Sequence, residues 1–136
     1  MSSEFREVAV TIESTHIQLD EKDNISETYA GKCRVKDGEL ILLYHDSENR
    51  RMQIRCTGKY FERRQLGSTE GFFAVEPGKD IEFDYPTAYG IIPLTCRGKM
   101  LSFSERGDNI TVAISYSLIS AGSELSQVEI KIIIKG

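Results

Sequence analysis

Apolar and polar residues alternate along most of the chain. In the segment from 110 to 118, the apolar positions are Ile110, Val112, Ile114, Tyr116 and Leu118. The segment from 128 to 135 repeats the pattern with Val128, Ile130, Ile132 and Ile134, and shorter stretches do so at 51–56 and 81–85. Successive side chains of a strand point to opposite faces, so each stretch predicts a strand with one face against a core.

Turn-forming residues separate these stretches at short intervals, as at Asp37-Gly38, Gly98-Lys99 and Gly107-Asp108. Links of this length join antiparallel neighbours, because a parallel return needs a crossover of about a dozen residues or more. We therefore predict a meander of about ten strands in a single domain, residues 1–136. The strands fall near 5–19, 25–36, 39–45, 51–57, 59–66, 71–76, 81–85, 90–97, 99–105, 108–120 and 124–135.

The edges of such a meander favour closure. An open sheet leaves two edge strands with unpaired backbone groups, and closing the sheet on itself removes both. The sequence thus predicts an all-β fold, a single closed antiparallel barrel of about eight to ten strands. If closure is incomplete, we expect the first or last strand to form the exposed edge, where a second copy of the chain could pair to give a homodimer.

The apolar residues of the first predicted strand switch from even to odd positions. Val8, Val10 and Ile12 occupy even positions, whereas Ile17 and Leu19 occupy odd positions. A one-residue insertion turns a strand over, so that its other face meets the core. The pattern therefore predicts a β-bulge near residues 14–16.

One segment carries a family resemblance. Residues 83–98, Phe-Asp-Tyr-Pro-Thr-Ala-Tyr-Gly-Ile-Ile-Pro-Leu-Thr-Cys-Arg-Gly, resemble the YwiB-like family of small bacterial proteins of unknown function. The likeness continues in Ile114-Ser-Tyr-Ser-Leu, in Gly122 and in the closing segment Val128-Glu-Ile-Lys-Ile. With similar hairpin spacing from about residue 8 onward, it covers nearly the whole chain.

The family usually shows a Tyr-x-Thr-Pro-aromatic-Gly pattern in this segment. The chain keeps four of its positions, Tyr85, Thr87, Tyr89 and Gly90. It departs from the pattern with Ala88 in the place of the proline and with Pro86 two positions earlier, a change that concerns the local loop. The resemblance implies a closed barrel of the calycin, or lipocalin-like, type in a bacterial cytoplasm. It transfers no activity and no catalytic residue.

Composition and charge narrow the class of protein. With 40% hydrophobic and 28% charged residues, the chain is ordinary for a globular domain. The formal net charge of -4 gives no overall attraction to nucleic acid or anionic lipid. The acidic start of the chain lacks the apolar stretch of a secretory signal, and no apolar run reaches the length of a membrane span, about 20 residues. We expect a cytoplasmic protein.

The residues that usually carry chemistry are sparse. Cys33, Cys56 and Cys96 are odd in number and widely spaced, so reduced structural thiols are expected in the cytoplasm. His16 and His45, the only histidines, match neither a nucleophile motif nor a metal-ligand spacing. We therefore predict a non-enzymatic protein with no catalytic residue, no metal site and no cofactor.

The barrel interior is the first candidate binding site. A barrel of eight or more strands either fills its interior with side chains or holds one small ligand. Tyrosines supply amphipathic walls, and an arginine could orient a ligand. The candidate ligand-binding residues are Tyr44, Arg64, Tyr85, Tyr89 and Tyr116. Core packing is the favoured interpretation of the tyrosines, because small barrels often fill completely.

A basic hairpin at residues 50–64 is the second candidate. It holds six Arg and Lys residues against Glu62 alone, a local balance of +5 (six minus one). Cations beside exposed aromatic rings suit RNA. The candidate partner-binding residues are Arg51, Arg55, Tyr60 and Arg63, although alternation puts Arg63 and Arg64 on opposite faces of one strand. A solvated hairpin whose charges pair with neighbouring acids is favoured over a binding surface.

The sequence therefore leads to a barrel of unknown function that binds, if its interior binds anything, a small apolar or amphipathic molecule. The alternative is an interaction module that docks on RNA or an acidic protein through residues 50–64. The interior ligand predicts an unfilled cavity near Tyr44 and Tyr85. Docking predicts binding that weakens steeply with salt and depends on Arg51 and Arg55.

Overall fold

The computed structural model describes residues 4–18, 21–68 and 72–136, with the backbone alone at residues 86 and 87. Its strands are β1 (Arg6–Gln18), β2 (Glu21–Lys36), β3 (Glu39–His45), β4 (Arg51–Cys56), β5 (Phe61–Gln65), β6 (Phe73–Val75), β7 (Asp80–Thr87), β8 (Gly90–Arg106), β9 (Asn109–Ser120) and β10 (Ser123–Lys135). They form one antiparallel sheet in the order β6-β5-β4-β3-β2-β1-β10-β9-β8-β7, coiled into a nearly closed barrel. The predicted all-β meander is confirmed. These ranges contain no helix suited to crossing a membrane.

The predicted alternation decides which side chains enter the barrel. On β9 and β10, every second residue is buried, and Val112, Ile132 and Ile134 are at most 1% exposed. Ile130 lies opposite Ile114 across the ladder, so the two strands present one continuous apolar face. β-branched side chains pack well on such a pleated surface, which explains the valine and isoleucine content of both strands.

The first and last strands lie in the middle of the sheet. Val10 on β1 is opposite Tyr29 of β2 on one side and Ile134 of β10 on the other. The expectation that the first or last strand forms an edge is therefore wrong. Both are long strands with matching apolar faces, and pairing them buries more surface than leaving either one exposed. The edge positions belong instead to β6, with three residues, and β7.

The bulge predicted near residues 14–16 is also wrong. β1 keeps an unbroken register with β10 and with β2 from Ala9 to Ile17. Ile17 lies on the outer face, where it is partly exposed, so its odd position needs no reversal of the strand. Leu19, the other odd position, lies outside the described residues.

Bulges occur elsewhere in the sheet. The register shifts between Gly98 and Met100 in β8 and between Glu124 and Ser126 in β10. The turn predicted at Gly98-Lys99 is thus the first of these bulges, and β8 continues through it as a strand of 17 residues. A bulge bends a strand and increases its twist, which brings β8 round toward β6.

Gly98 is the residue at which the barrel closes. Its N–H donates to the Lys79 carbonyl and its carbonyl accepts from the Gly78 N–H, both at 3.0 Å. A Cβ at position 98 would collide with the backbone of Glu76, so the close approach requires glycine. The link after β6 therefore joins β8 directly, and the described parts of β6 and β7 share no ladder.

The strand ends define two ends of the barrel, the base and the mouth. At the base, β2, β4 and β8 end and β3, β5 and β9 begin; at the mouth, β1, β7 and β9 end and β2, β8 and β10 begin. Apolar side chains fill the interior toward the base, and several are at most 1% exposed: Leu40, Leu42, Cys56, Phe61 and Val112. Toward the mouth, the interior is aromatic and contains an arginine.

Candidate functional site

Arg63 points into the barrel. On β5 it lies opposite Ile54 of β4, and residues opposite each other in a ladder share a face of the sheet. Ile54 belongs to the core, so Arg63 is on the inner face too. Its guanidinium lies over the ring of Phe73, 4.7 Å from the centroid. The alternation Phe61-x-Arg63 was the sequence signal for this orientation.

Arg63 has no counter-ion in the part of the chain that the structure describes. Its Nε is buried and has no hydrogen-bond partner there. Burial raises the pKa of Tyr44 and of Tyr116, and the positive charge of Arg63 opposes that rise at both hydroxyls. Arg63 forms a side-chain hydrogen bond with Tyr44, but a partly buried cation without a counter-ion still costs free energy, so a ligand could supply the opposite charge here.

Aromatic rings surround the guanidinium. The centroid of the Phe73 ring lies 5.7 Å from that of Tyr116 and 6.5 Å from that of Phe83. Tyr44 is 5% exposed and packs against Tyr29, with 5.3 Å between centroids. These separations are typical of favourable tilted ring pairs. The structure thus brings Tyr44 and Tyr116, both predicted ligand-binding residues, together with Arg63.

Nearer the mouth, three apolar side chains face inward but stay exposed. Tyr85 and Ile92 lie opposite each other in the β7–β8 hairpin, on the face that carries Phe83, and are 52% and 41% exposed. Ile25 shares the inner face of β2 with Tyr29 and is 48% exposed. Inward-facing side chains with this exposure border open space, so the mouth is accessible to solvent. Arg63, its aromatic neighbours and this apolar rim are called the mouth site below.

The rim also carries negative charge. Asp23 and Glu27 lie on the same inner face of β2 as Ile25, and both are exposed. The Glu27 carboxylate adds to the rise in the pKa of Tyr44. Water and salt screen exposed charges strongly and partly buried ones much less, so the positive charge of Arg63 dominates inside the mouth.

Two predicted ligand-binding residues lie away from the interior. Tyr89, in the turn between β7 and β8, is 100% exposed. Arg64 lies outside the barrel, where its Nε donates to Glu62 at 2.9 Å and its guanidinium covers the ring of Phe72. The expected interior position of Arg64 is therefore wrong, because Arg63 takes the inward position of β5 and its neighbour must point out.

The predicted partner-binding residues do not form one patch. Arg55 is bound to Glu39 at 3.1 Å, and the Tyr60 hydroxyl donates to Glu62 at 2.9 Å. Burial and the Glu62 carboxylate raise the pKa of Tyr60 to about 12. Arg51 is exposed on the outer face of β4, whereas Arg63 is inside. The exposed cations of this hairpin are thus largely paired with acids.

A groove of about 840 Å³ lies on the outer face where β2 parts from β3. β2 pairs with β3 from Gly31, opposite Tyr44, onward, whereas residues 21–30 have no ladder partner on that side among the residues described. The groove is lined by Glu7, Val8, Ala9, Ala30, Gly31, Lys32, Leu43, Tyr44, His45, Arg51, Met52, Leu66, Lys135 and Gly136. Sequence reasoning missed this groove, because both ends of the chain must meet to form it.

The thiols are poor candidates for chemistry. Burial raises the pKa of Cys56 and of Cys96 to about 12, and it raises the pKa of Cys33 as well. A thiol that stays protonated is a weak nucleophile. Over the ranges given above, no three His, Cys, Asp or Glu side chains converge in a way that could hold a metal ion.

Comparison with known proteins supports the fold. A family model described as a domain of unknown function (DUF1934) matches residues 10–132. The chain is similar to the crystal structure of the YwiB protein from Bacillus subtilis, with a TM-score of 0.82 and 12% identity, over 97% of this chain and 92% of that one. No curated protein matches the chain. At this level of identity, the likeness shows the barrel fold alone.

Proposed function

The chain belongs to the DUF1934 family, a domain of unknown function, and we propose that it is a non-enzymatic barrel that binds a small amphipathic molecule at the mouth site. The observation that carries the proposal is the inward-facing Arg63, whose Nε has no partner in the described structure. A guanidinium with no counter-ion inside an aromatic mouth suits a ligand with an anionic group.

The ligand class follows from the side chains of the mouth. A carboxylate, sulfonate or phosphate ester accepts charge-assisted hydrogen bonds from a guanidinium, which are about twice as strong as neutral ones. The apolar part of the ligand packs on Tyr85 and Ile92, which face inward and are half exposed. The filled base leaves no room below, so the ligand enters from the mouth and stays near it.

The proposal includes no reaction. Burial raises the pKa of Tyr44 and Tyr116, so both hydroxyls keep their protons at neutral pH and neither acts as a base. Arg63 is permanently charged and serves as a binding group.

Docking through residues 50–64 on RNA or an acidic protein is the weaker alternative. Arg50, Arg55 and Arg64 of that hairpin are already bound to carboxylates in the structure. A partner phosphate or carboxylate would have to displace these acids. The ion pairs therefore favour the mouth site over the hairpin.

The proposal is tested with two dyes of nearly the same shape. 1-Anilinonaphthalene-8-sulfonate carries an anionic group, and N-phenyl-1-naphthylamine lacks it. Fluorescence titration of the wild-type protein is compared with that of Arg63→Met, which keeps most of the apolar stem but removes the charge. We expect the affinity for the sulfonate to fall about tenfold or more, since a hydrogen bond to a charged group contributes about 1.5–3 kcal/mol. The affinity for the neutral dye should hardly change.

The matched control is Arg55→Met, which removes an outward-facing arginine bound to Glu39. It should leave the binding of both dyes unchanged. Equal sulfonate binding by wild type and Arg63→Met would contradict the role of Arg63, and failure of the wild-type protein to bind either dye would contradict a mouth site for ligands of this class.

A further inference from the structure

The open edge of β2, a strand whose inner face carries Ile25 of the mouth rim, has the features of a peptide-binding edge. We infer that residues 21–30 of β2 accept an extended acidic segment of a partner protein, which adds to the sheet as a strand and places carboxylates against the cations of the outer groove. The inference rests on an open strand edge and on the distribution of charge beside it.

The open edge is long and accessible. Residues 21–30 pair with β1 along their whole length, and no described strand pairs with them on the other side. Half of the backbone N–H and C=O groups of a strand point to each side, so this segment presents a row of unused donors and acceptors. Residues 21–28 and Ala30 are exposed. An incoming strand gains main-chain hydrogen bonds here, the basis of strand addition in peptide recognition.

Charge on β2 is divided between its faces. The outer face carries Lys22 and Lys32 with neutral residues between them, whereas Asp23 and Glu27 lie on the inner face. A strand added beside β2 directs alternate side chains to the outer face, next to the two lysines. Acidic residues of the added strand that point to the outer face would therefore lie beside the lysines of β2 and away from its carboxylates.

The groove at the lower end of the open edge strengthens this pattern. Its cations are Lys32, Arg51 and Lys135, and its single acid is Glu7. In the part of the chain that the structure describes, none of the three cations forms an ion pair. The floor includes Ala30 and Leu43, whose small or apolar side chains leave room for an extended chain. The groove therefore favours a negatively charged occupant.

A second copy of this chain fits the edge less well. A two-fold axis perpendicular to the sheet pairs β2 with itself in antiparallel registers. The register centred on Asn24 places Glu21 opposite Glu27, and the register centred on Ile25 places Asp23 opposite Glu27. Like charges directly opposite each other destabilise a ladder. Both of these registers are therefore disfavoured, while the edge remains open to another sequence.

The test uses a blocked ten-residue peptide of alternating glutamate and valine, titrated into ¹⁵N-labelled protein and followed by amide chemical shifts. We expect shifts concentrated at residues 21–32 and slower hydrogen exchange of the edge amides. The double variant Lys32→Glu, Arg51→Glu should weaken binding about tenfold or more, and raising the ionic strength should weaken binding to the wild type. The control Lys59→Glu, an exposed lysine in the turn between β4 and β5, should have no effect.

Two further peptides separate strand addition from simple charge attraction. The same peptide with every backbone nitrogen methylated keeps its carboxylates but has no N–H donor on either edge, and we expect its binding to be lost. A lysine-valine peptide of equal length should not bind. Equal binding by the methylated peptide, or shifts outside residues 21–32 and the groove, would overturn the inference. So would a dimer of the free protein in sedimentation, because a second copy would then occupy the edge.

The result is independent of the mouth site. Arg63→Met should leave peptide binding unchanged, because Arg63 lies inside the barrel and the peptide adds at the edge and outer face. Failure of the peptide to bind would overturn strand addition without affecting dye binding at the mouth.

Discussion

The base and the mouth of the barrel are formed by the same sheet but have different interiors. At the base, Leu42 and Cys56 are fully buried in the core, and Phe61 lies opposite Cys56 across the β4–β5 ladder. At the mouth, Arg63 lies among aromatic rings with no counter-ion in the described structure, and Tyr85 and Ile92 face inward while half exposed. The base is packed with buried apolar side chains. The mouth departs from ordinary core packing in two ways, because the buried Arg63 Nε has no hydrogen-bond partner and apolar side chains that face inward stay exposed.

Under the proposed function, the difference separates the part of the fold that supplies stability from the part that binds a ligand. Close packing of apolar side chains supplies stability, and a polar group without a partner reduces it. Proteins keep such departures mainly where function requires them. We therefore expect the mouth to be less stabilising than the base because its residues serve binding.

The largest effect is expected from a cavity at the base. Leu42→Ala should lower the free energy of unfolding by about 3 kcal/mol, because Leu42 is 0% exposed and its neighbours cannot fill the space. Ile92→Ala at the rim should cost less than about 1 kcal/mol. Urea unfolding of both variants measures the difference. Equal losses would show that the mouth is packed as tightly as the base.

The seam of the barrel should respond next most strongly. Gly98→Ala places a methyl group against the backbone of Glu76 and should destabilise the protein by about 2 kcal/mol. Gly58→Ala is the matched control, since no atom lies within 4 Å of a Cβ built there. Thermal unfolding of the two variants should separate them clearly. A harmless Gly98→Ala would show that closure at this residue contributes little to the fold.

The third effect concerns pH and is expressed for each pH unit. The folded pKa of Cys56 is raised to about 12 by burial, above its unfolded value of about 8.5. The folded state therefore holds this proton more tightly, and the contribution to stability is complete below about pH 8.5 and is lost as the pH rises toward 12. We expect the free energy of unfolding to fall between about pH 9 and 11, by at most about 1.4 kcal/mol per pH unit for this thiol.

The measurement for this third prediction is urea unfolding of wild type and Cys56→Val across that range. The tyrosines titrate in both proteins, so the difference between the two curves isolates the thiol. A variant with the same pH dependence as wild type would mean that the base admits water to Cys56.

Much of the fold could be predicted from the alternation of side chains. The faces of β9 and β10, the short antiparallel links and the closed barrel all followed from it. The predictions failed at positions where the same local sequence pattern is compatible with two different structures. The odd position of Ile17 is a partly exposed outer residue instead of the mark of a bulge, and Gly98 lies in a bulge and not in a turn.

The candidate sites were harder to predict. Tyr44 and Tyr116 were correctly expected inside the barrel, but the inward arginine is Arg63 and not Arg64. Sequence alternation showed that the two arginines face opposite ways. The apolar Phe61 two positions before Arg63 was the signal for which arginine faces in, and it was weak because β5 is short and Glu62 is buried as well. The lack of a counter-ion at Arg63 depends on which side chains surround it.

The sequence by itself determined that this protein is a single antiparallel β-barrel, because a two-residue period and short turns are local properties of the chain. Only the tertiary structure decided that the first and last strands pair with each other, that Gly98 closes the barrel and that β2 leaves an edge open. It also decided that Arg63 lies at the mouth with no counter-ion among the described residues. Each of these depends on residues far apart in the chain meeting in space, and their distances, charges and burial are set by the assembled sheet.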